Sequence, residues 1–126
     1  MNNIKSNYLY EDLTRRIIRC FYTVFDELGS GFLESIYEKS LLVEFKRVGL
    51  KAASQTALSV NYKDVVVGEF KADIIVEDKV IIEIKSVNQL NSHHEAQLIH
   101  YLKATNIKIG LLVNFGEKLE FKRRIY

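Results

Sequence analysis

Two acidic residues and one lysine on neighbouring predicted strands form the clearest chemical pattern in this sequence. Asp73 precedes a short polar segment, Glu77-Asp78-Lys79, and Glu83 and Lys85 follow it. The segment has the composition of a hairpin loop. If these three residues form the loop, Asp73 faces Glu83 across the hairpin, with Cβ atoms about 5 Å apart. At this distance two carboxylates repel each other unless a cation lies between them.

Lys85 adds a positive charge to the same surface. It lies two residues after Glu83 and therefore points to the same face of the strand. Oxygen ligands of this kind suit Mg²⁺ or Mn²⁺. The spacing fits equally well a cross-strand ladder of salt bridges, in which Lys71 and Lys85 pair with the acids. Glu83 favours the metal site, because an acid inside an apolar strand is costly unless it is paired or binds metal.

Two further positions carry groups that could take part in chemistry. Gln97 and Tyr101 are four residues apart and share one face of a predicted helix, where they could orient a phosphate, a water or a lysine. A polar face turned to solvent is the alternative for this pair. Glu34 lies near the start of another helix, where an acid also complements the helix dipole. The histidines have the pattern of surface residues, and we assign them no metal: His93, His94 and His100.

The elements that must position these residues follow the order α, α, β, β, β, α, β and a further β. Apolar residues recur at helical spacing in two N-terminal segments, and Gly29 and Gly49 suit their ends. Asn91 or Ser92 can cap the third helix, and Glu95, three residues after Ser92, completes a predicted capping box. The predicted helices cover residues 13–28, 31 or 32 to 48, and 91 or 92 to about 105, and the predicted strands cover 53–62, 65–76, 80–86, 107–115 and 119–125. A strand meander followed by a helix and a strand predicts an α/β sandwich.

Length and composition set the class of protein. A chain of 126 residues, 48% hydrophobic and 27% charged, predicts one globular domain over residues 1–126, with a less ordered segment at 1–8. The lone Cys20 excludes an intramolecular disulfide and a cysteine-ligated metal site. A polar N-terminus and a single cysteine fit a cytoplasmic protein. The apolar runs are too short to span a bilayer, so we expect no membrane partner.

Net charge limits the way in which nucleic acid could bind. A net charge of +2 is too small for binding by bulk charge, so any DNA contact must come from local basic patches. Short charge runs are more often solvated faces than binding sites. The candidate patches are Arg15, Arg16, Arg19 and the run Lys122-Arg123-Arg124. Because a single small domain often needs a second subunit to enclose DNA, a homodimer or a partner subunit is compatible with the sequence.

Four segments of the sequence combine the candidate site residues with their neighbours, and a fifth follows them: GFLESIY at 31–37, ADIIVED at 72–78, IEIKS at 82–86, EAQLIHYLKA at 95–104 and GLLVNFG at 110–116. Taken in this order, they resemble the GxxExxY family of the PD-(D/E)XK nuclease superfamily. The resemblance covers nearly the whole chain from Leu13 onward. It implies a nuclease-like α/β core, in which a central mixed sheet is flanked by helices.

The resemblance also implies roles for individual residues. Glu34, Asp73 and Glu83 would hold one or two Mg²⁺ or Mn²⁺ ions, with the carbonyl of Ile84 as a further ligand. Lys85 is the family lysine. Gln97 and Tyr101 are similar to the QxxxY motif of RecB-type and lambda-exonuclease-type nucleases, which act on DNA ends. Some relatives carry an iron–sulfur cluster on four cysteines, which is not expected here because Cys20 is alone.

The resemblance thus predicts a metal-dependent deoxyribonuclease that hydrolyses phosphodiester bonds. The alternative is a nuclease-fold module that binds DNA or a protein partner without cutting. The intact set of Glu34, Asp73, Glu83 and Lys85 favours the enzyme, because a site that has lost its catalytic activity need not keep every ligand. A purely structural subunit is the third hypothesis.

Overall fold

Residues 10–126, which a computed structural model describes, fold into three helices and five strands in the predicted order. The predicted less ordered segment at residues 1–8 lies outside the described residues. The elements are α1 Glu11–Leu28, α2 Glu34–Arg47, β1 Ala52–Tyr62, β2 Val65–Val76, β3 Val80–Lys85, α3 Ser92–Ala104, β4 Ile109–Phe115 and β5 Leu119–Ile125. No helix in this part of the chain is long and apolar enough to cross a membrane.

The five strands form one mixed sheet in the order β1-β2-β3-β4-β5. Neighbouring strands are antiparallel except β3 and β4, which are parallel and are joined by α3. At the β2–β3 turn, Glu77 and Asp78 have φ angles of 54° and 56° and Val76 pairs with Val80. This pairing confirms the register that the sequence predicts. The two residues in the left-handed region form a tight turn that suits the twist of a hairpin.

The helices cover both faces of the sheet and so bury β3 as far as Ile84. Helices α1 and α2 pack on one face and α3 on the other. Every residue from Val80 to Ile84 is buried, as predicted for a strand covered on both sides. The largest buried side chains of the first face include Ile17, Phe21, Tyr37, Leu41 and Phe45, and those of the second include Leu98 and Leu102.

The start of α3 confirms one of the two predicted N-cap residues and contradicts the predicted capping box. Asn91 is the N-cap residue: its side chain accepts hydrogen bonds from the backbone N–H groups of His93 and His94, and His94 Nδ1 accepts from the Asn91 N–H at 3.2 Å. The predicted capping box of Ser92 and Glu95 is therefore wrong, because Ser92 is already the first helical residue. The Glu95 carboxylate instead pairs with Arg124 of β5, which ties α3 to the sheet edge.

Candidate active site

Asp73 and Glu83 lie where β2 and β3 stop pairing. The backbone ladder between these strands ends at Ile74 and Ile82. One residue further on, the Asp73 N–H donates to Glu83 Oε2 at 3.0 Å, and the Ile84 N–H donates to Asp73 Oδ2 at 2.7 Å. The two carboxylates thus take the place of carbonyl groups as acceptors for backbone N–H groups that must be satisfied. Each carboxylate is held by the backbone of the opposite strand.

Glu83 is the one buried acid among the described residues. The residue is only 6% exposed. Burial first, and then the negative charge of Asp73, raises the pKa of Glu83 to about 7. The Asp73 N–H and the charge of Lys85 act in the opposite direction, while Glu34 raises the pKa further. A cation held between these carboxylates would relieve both the repulsion and the cost of burying a charge.

Lys85 contributes a charge to the site without being neutralised by an ion pair. It ends β3 with a half-buried side chain, and its charge lowers the pKa of Glu83. Within residues 10–126, the ion pairs shorter than 4.0 Å are those of Arg15 and Arg124 with nearby acids. Neither Lys71 nor Lys85 takes part in one. The predicted alternative, a ladder of salt bridges, is therefore wrong for this hairpin.

Glu34 begins α2 and faces the same end of β3. Its Oε2 accepts a hydrogen bond from the Ser86 N–H at 3.2 Å, and the Ser86 hydroxyl donates to the Phe32 carbonyl at 2.8 Å. These contacts join the start of α2 to the residue that follows Lys85. The position suits a ligand for a cation shared with Glu83, and it also suits the positive end of the helix dipole.

The turn before α2 is built by Gly31 and Tyr37. Gly31 has a φ of 105°, a conformation that residues with a side chain rarely adopt. The buried Tyr37 hydroxyl accepts from the Phe32 N–H at 3.2 Å and donates to the Gly29 carbonyl at 2.6 Å. The glycine and tyrosine of the 31–37 segment therefore hold the turn from which Glu34 projects.

Gln97 and Tyr101 share one face of α3, as predicted, and line an open groove with His93 and His100. The Tyr101 ring stacks on Phe70 of β2, with ring centroids 3.8 Å apart and planes inclined by 10°. Burial first, and then the charges of Glu83 and Asp73, raises the pKa of Tyr101. The hydroxyl of Tyr101 thus lies within electrostatic reach of the acidic pair, while Gln97 is exposed on the groove.

The comparison with protein families agrees with this arrangement. The family model of the PD-(D/E)XK nuclease superfamily matches the chain over residues 11–124. The chain belongs to the PD-(D/E)XK nuclease superfamily. The finer assignment to the GxxExxY family and its RecB-like relatives stays a prediction.

A solved structure supports the same fold for this PD-(D/E)XK protein. The crystal structure of SSO0001 matches 94% of the chain with a TM-score of 0.56 and 22% sequence identity. The chain spans 60% of the length of that protein. A search of curated proteins found no match. The mixed sheet with flanking helices is therefore the PD-(D/E)XK nuclease-like fold that the sequence predicts.

The donor set of this PD-(D/E)XK protein fits a hard divalent cation. PD-(D/E)XK nucleases typically use Mg²⁺ or Mn²⁺. In the part of the chain that the structure describes, no three His, Cys, Asp or Glu side chains stand together as a ready-made cage. Asp73 and Glu83 nevertheless present adjacent carboxylates, burial opposes the charge of Glu83, and Glu34 acts on the same Glu83. Oxygen donors of this type suit Mg²⁺ and Mn²⁺.

Asn114 is a residue that the sequence reasoning missed. It is fully buried in β4, beside Lys85 in the parallel register. Its side chain accepts from the Val87 N–H at 2.9 Å and donates to the Val87 carbonyl at 2.9 Å. It thereby fixes the segment that follows Lys85. The signal was present in the sequence, since Asn114 is the one polar side chain in the apolar run from Ile109 to Phe115.

Glu38 and Gln55 were also missed. Gln55 of β1 donates from its Nε2 to Glu38 Oε1 of α2 at 2.8 Å, and the same nitrogen lies 3.5 Å from Asp73 Oδ1. Burial first, with a further contribution from the charge of Asp73, raises the pKa of Glu38, while the Gln55 hydrogen bond and Lys39 lower it. No sequence pattern marked this pair, because both residues look like ordinary polar positions on amphipathic elements.

Proposed function

We propose that this PD-(D/E)XK protein is a metal-dependent deoxyribonuclease that hydrolyses phosphodiester bonds. The observation that carries the proposal is the acidic pair of Asp73 and Glu83, each held by the opposite strand, beside a lysine that forms no ion pair with any residue from 10 to 126. An acid that is buried this deeply at an energetic cost is characteristic of a functional site.

The proposed ligands are the carboxylates of Glu34, Asp73 and Glu83 and the carbonyl of Ile84. A bound Mg²⁺ or Mn²⁺ would supply charge neutralisation at the phosphate and a lower pKa for a water molecule. Lys85 would orient the attacking water or stabilise charge on the phosphoryl oxygens. Its ammonium group is available for this role because no carboxylate of the described residues lies within 4.0 Å of it.

Gln97 and Tyr101 would position Lys85 or the scissile phosphate. The stacking of Tyr101 on Phe70 supports this role, because it restrains the ring that carries the hydroxyl group. Their resemblance to the QxxxY motif supports action on DNA ends. Contacts from lysine and arginine to the DNA backbone would dominate binding, so cleavage should weaken as salt concentration rises. A homodimer or a partner subunit could complete the enclosure of DNA, and a cytoplasmic location fits the reaction.

The test is cleavage of linear and circular DNA in Mg²⁺ or Mn²⁺ by wild-type protein, Glu83→Ala and Lys85→Ala. Lys71→Ala is the matched control, because it removes a lysine from the same hairpin outside the proposed site. We expect Glu83→Ala and Lys85→Ala to be inactive and Lys71→Ala to cut. Equal cleavage by all four proteins would identify a contaminating nuclease and overturn the site assignment.

Two further outcomes separate the alternatives. Cleavage of linear but not circular DNA would support action on ends. Retention of DNA without cleavage, together with no Mn²⁺ binding in the millimolar range by titration calorimetry, would instead favour a binding module without catalytic activity.

A further inference from the structure

Gln55 occupies a strained position directly opposite Asp73. In the β1–β2 pairing Ser54 faces Ile74 and Thr56 faces Ala72, which leaves Gln55 across from Asp73. Gln55 has a φ of 51°, in the left-handed region, whose cost for a residue with a side chain is about 1–2 kcal/mol. Such a conformation persists only where the surrounding structure requires it, and it is often found at functional sites.

The irregularity extends to β2 and places Asp73 at a change of face. Ile74 and Val76 pack on the face covered by α1 and α2, whereas Ala72 packs against α3. Regular alternation would put all three on one face, so the alternation is interrupted at Asp73. The backbone around Asp73 and Gln55 is therefore shaped locally, and it is this local shape that directs both side chains.

The Gln55 amide joins two carboxylates. Its Nε2 donates to Glu38 Oε1 at 2.8 Å and lies 3.5 Å from Asp73 Oδ1. The other Asp73 oxygen, Oδ2, already accepts from the Ile84 N–H at 2.7 Å. The Asp73 carboxylate is thus held at one oxygen by β3 and approached at the other by the amide. These contacts restrict its rotation.

Glu38 provides the anchor for that amide. It lies one helical turn after Glu34, so both carboxylates are on the same face of α2. Glu34 contacts the Ser86 N–H after β3, and Glu38 contacts Gln55 on β1. Helix α2 is therefore attached to both sides of the acidic pair.

We propose that Glu38 and Gln55 form a positioning pair that fixes the Asp73 carboxylate, and with it α2, in the geometry needed to bind the divalent cation. The inference rests on the proposed function and adds two residues to it. Neither residue is assigned as a ligand: Glu38 holds Gln55, and Gln55 orients Asp73. Partners of this kind, which act through a ligand, typically change metal affinity or activity by about 10–100-fold when removed.

The test measures the Mn²⁺ affinity of the full chain by titration calorimetry. Asparagine and glycine both tolerate the left-handed backbone at position 55. In Gln55→Asn the side-chain amide is too short to reach Glu38, and in Gln55→Gly there is no side-chain amide. We expect both to bind Mn²⁺ about tenfold more weakly than wild type. Gln55→Gly should do so without loss of thermal stability in the absence of metal, because glycine carries no penalty at positive φ.

Glu38 is tested by a pair of variants and a control on its own helix. Glu38→Gln keeps an oxygen that accepts from Gln55 and should bind Mn²⁺ almost as well as wild type, whereas Glu38→Ala should lose about tenfold. Glu44→Ala is the control, because Glu44 lies on α2 beside Cys20 and Arg16 of α1 and should not change the affinity. Equal losses for Glu38→Gln and Glu38→Ala would mean that Glu38 acts by its charge or as a ligand, and would overturn the positioning role.

The outcomes distinguish this inference from the proposed function. Wild-type binding with unchanged affinity in both Gln55 variants would overturn the positioning role and leave the metal site intact. Weaker binding of Gln55→Gly that is matched by an equal loss of stability would assign Gln55 a merely structural role. Wild-type protein that binds no Mn²⁺ would overturn the proposed function and the positioning role together.

Discussion

Asp73 and Glu83 hold each other's strands at the point where the β2–β3 ladder ends. The Asp73 N–H donates to the Glu83 carboxylate, and the Asp73 carboxylate accepts from the Ile84 N–H. This exchange places two carboxylates side by side and keeps Glu83 buried, so that burial and the charge of Asp73 raise its pKa to about 7. In the metal-free protein, ionisation of Glu83 beside Asp73 therefore lowers the free energy of unfolding.

The first prediction concerns the stability of the metal-free protein as pH changes. The pKa of Glu83 is raised in the folded state from 4.5 to about 7, so the folded chain binds this proton more tightly than the unfolded chain. The resulting stabilisation is fully present below about pH 4.5 and is lost as pH rises through about 7. Glu83→Gln removes this loss and should raise the free energy of unfolding at pH 8 by up to about 3 kcal/mol.

Urea denaturation between pH 4 and 8 measures this effect. Glu69→Gln, at an exposed position of β2, is the matched control and should retain the wild-type dependence on pH. The amide oxygen that Glu83→Gln introduces can still accept from the Asp73 N–H, so the comparison isolates the charge. An unchanged loss of stability between pH 4.5 and 7 in Glu83→Gln would show that another group is responsible.

The second prediction separates catalysis from stability at Lys85. Lys85→Met keeps most of the apolar stem and removes the charge. Because Lys85 forms no ion pair within residues 10–126, the free energy of unfolding should change by less than about 1 kcal/mol. The single-turnover rate of DNA cleavage should fall by about 100-fold or more. Lys71→Met serves as the control, and a comparable loss in that variant would mean that bulk charge is what matters.

The position of the acidic pair could be predicted from the sequence because it depends on local information. The turn signal Glu77-Asp78-Lys79 lies between two apolar runs, and the pairing of Val76 with Val80 follows from its length. Once that register is known, Asp73 must lie opposite Glu83. The same local reasoning located Gln97 and Tyr101 on one face of α3.

Residues that depend on contacts between distant segments could not be predicted. Gln55 reaches Asp73 because it adopts a left-handed conformation within β1, and nothing in its neighbours marks that conformation. The capping box failed for a related reason. Asn91 and Ser92 are both good N-cap residues; Asn91 is the N-cap, and Glu95 pairs with Arg124 of β5, a contact between distant segments that no local pattern indicates.

The third prediction concerns Tyr101. Tyr101→Phe keeps the ring that stacks on Phe70 and removes only the hydroxyl group, which lies within electrostatic reach of Glu83 and Asp73. We expect a stability within about 1 kcal/mol of wild type. Cleavage should slow by about 10–100-fold if the hydroxyl positions Lys85 or the phosphate. Tyr126→Phe, at the exposed end of the sheet, is the control. Full activity of Tyr101→Phe would restrict Tyr101 to a packing role.

The fourth prediction concerns the segment that follows Lys85. Asn114→Ala would leave the N–H and carbonyl groups of Val87 without their partner, at a cost of about 2–4 kcal/mol. Gly116→Ala acts on the same carbonyl by steric means, because an added Cβ would lie 2.5 Å from it. Both variants should displace the segment and lower cleavage as well as stability.

A control variant that loses a similar amount of stability in another part of the protein shows whether the displacement of the Val87 segment, rather than the loss of stability, slows cleavage. Val24→Ala removes buried apolar volume from α1, where Val24 lies beside Ser40 and Val43 of α2, and should cost about 1–3 kcal/mol. At a temperature where all variants are folded, Val24→Ala should cut DNA at nearly the wild-type rate, whereas Asn114→Ala and Gly116→Ala should be slower. Equal rates in the three variants would mean that Lys85 is positioned by β3 alone, without help from the Val87 segment.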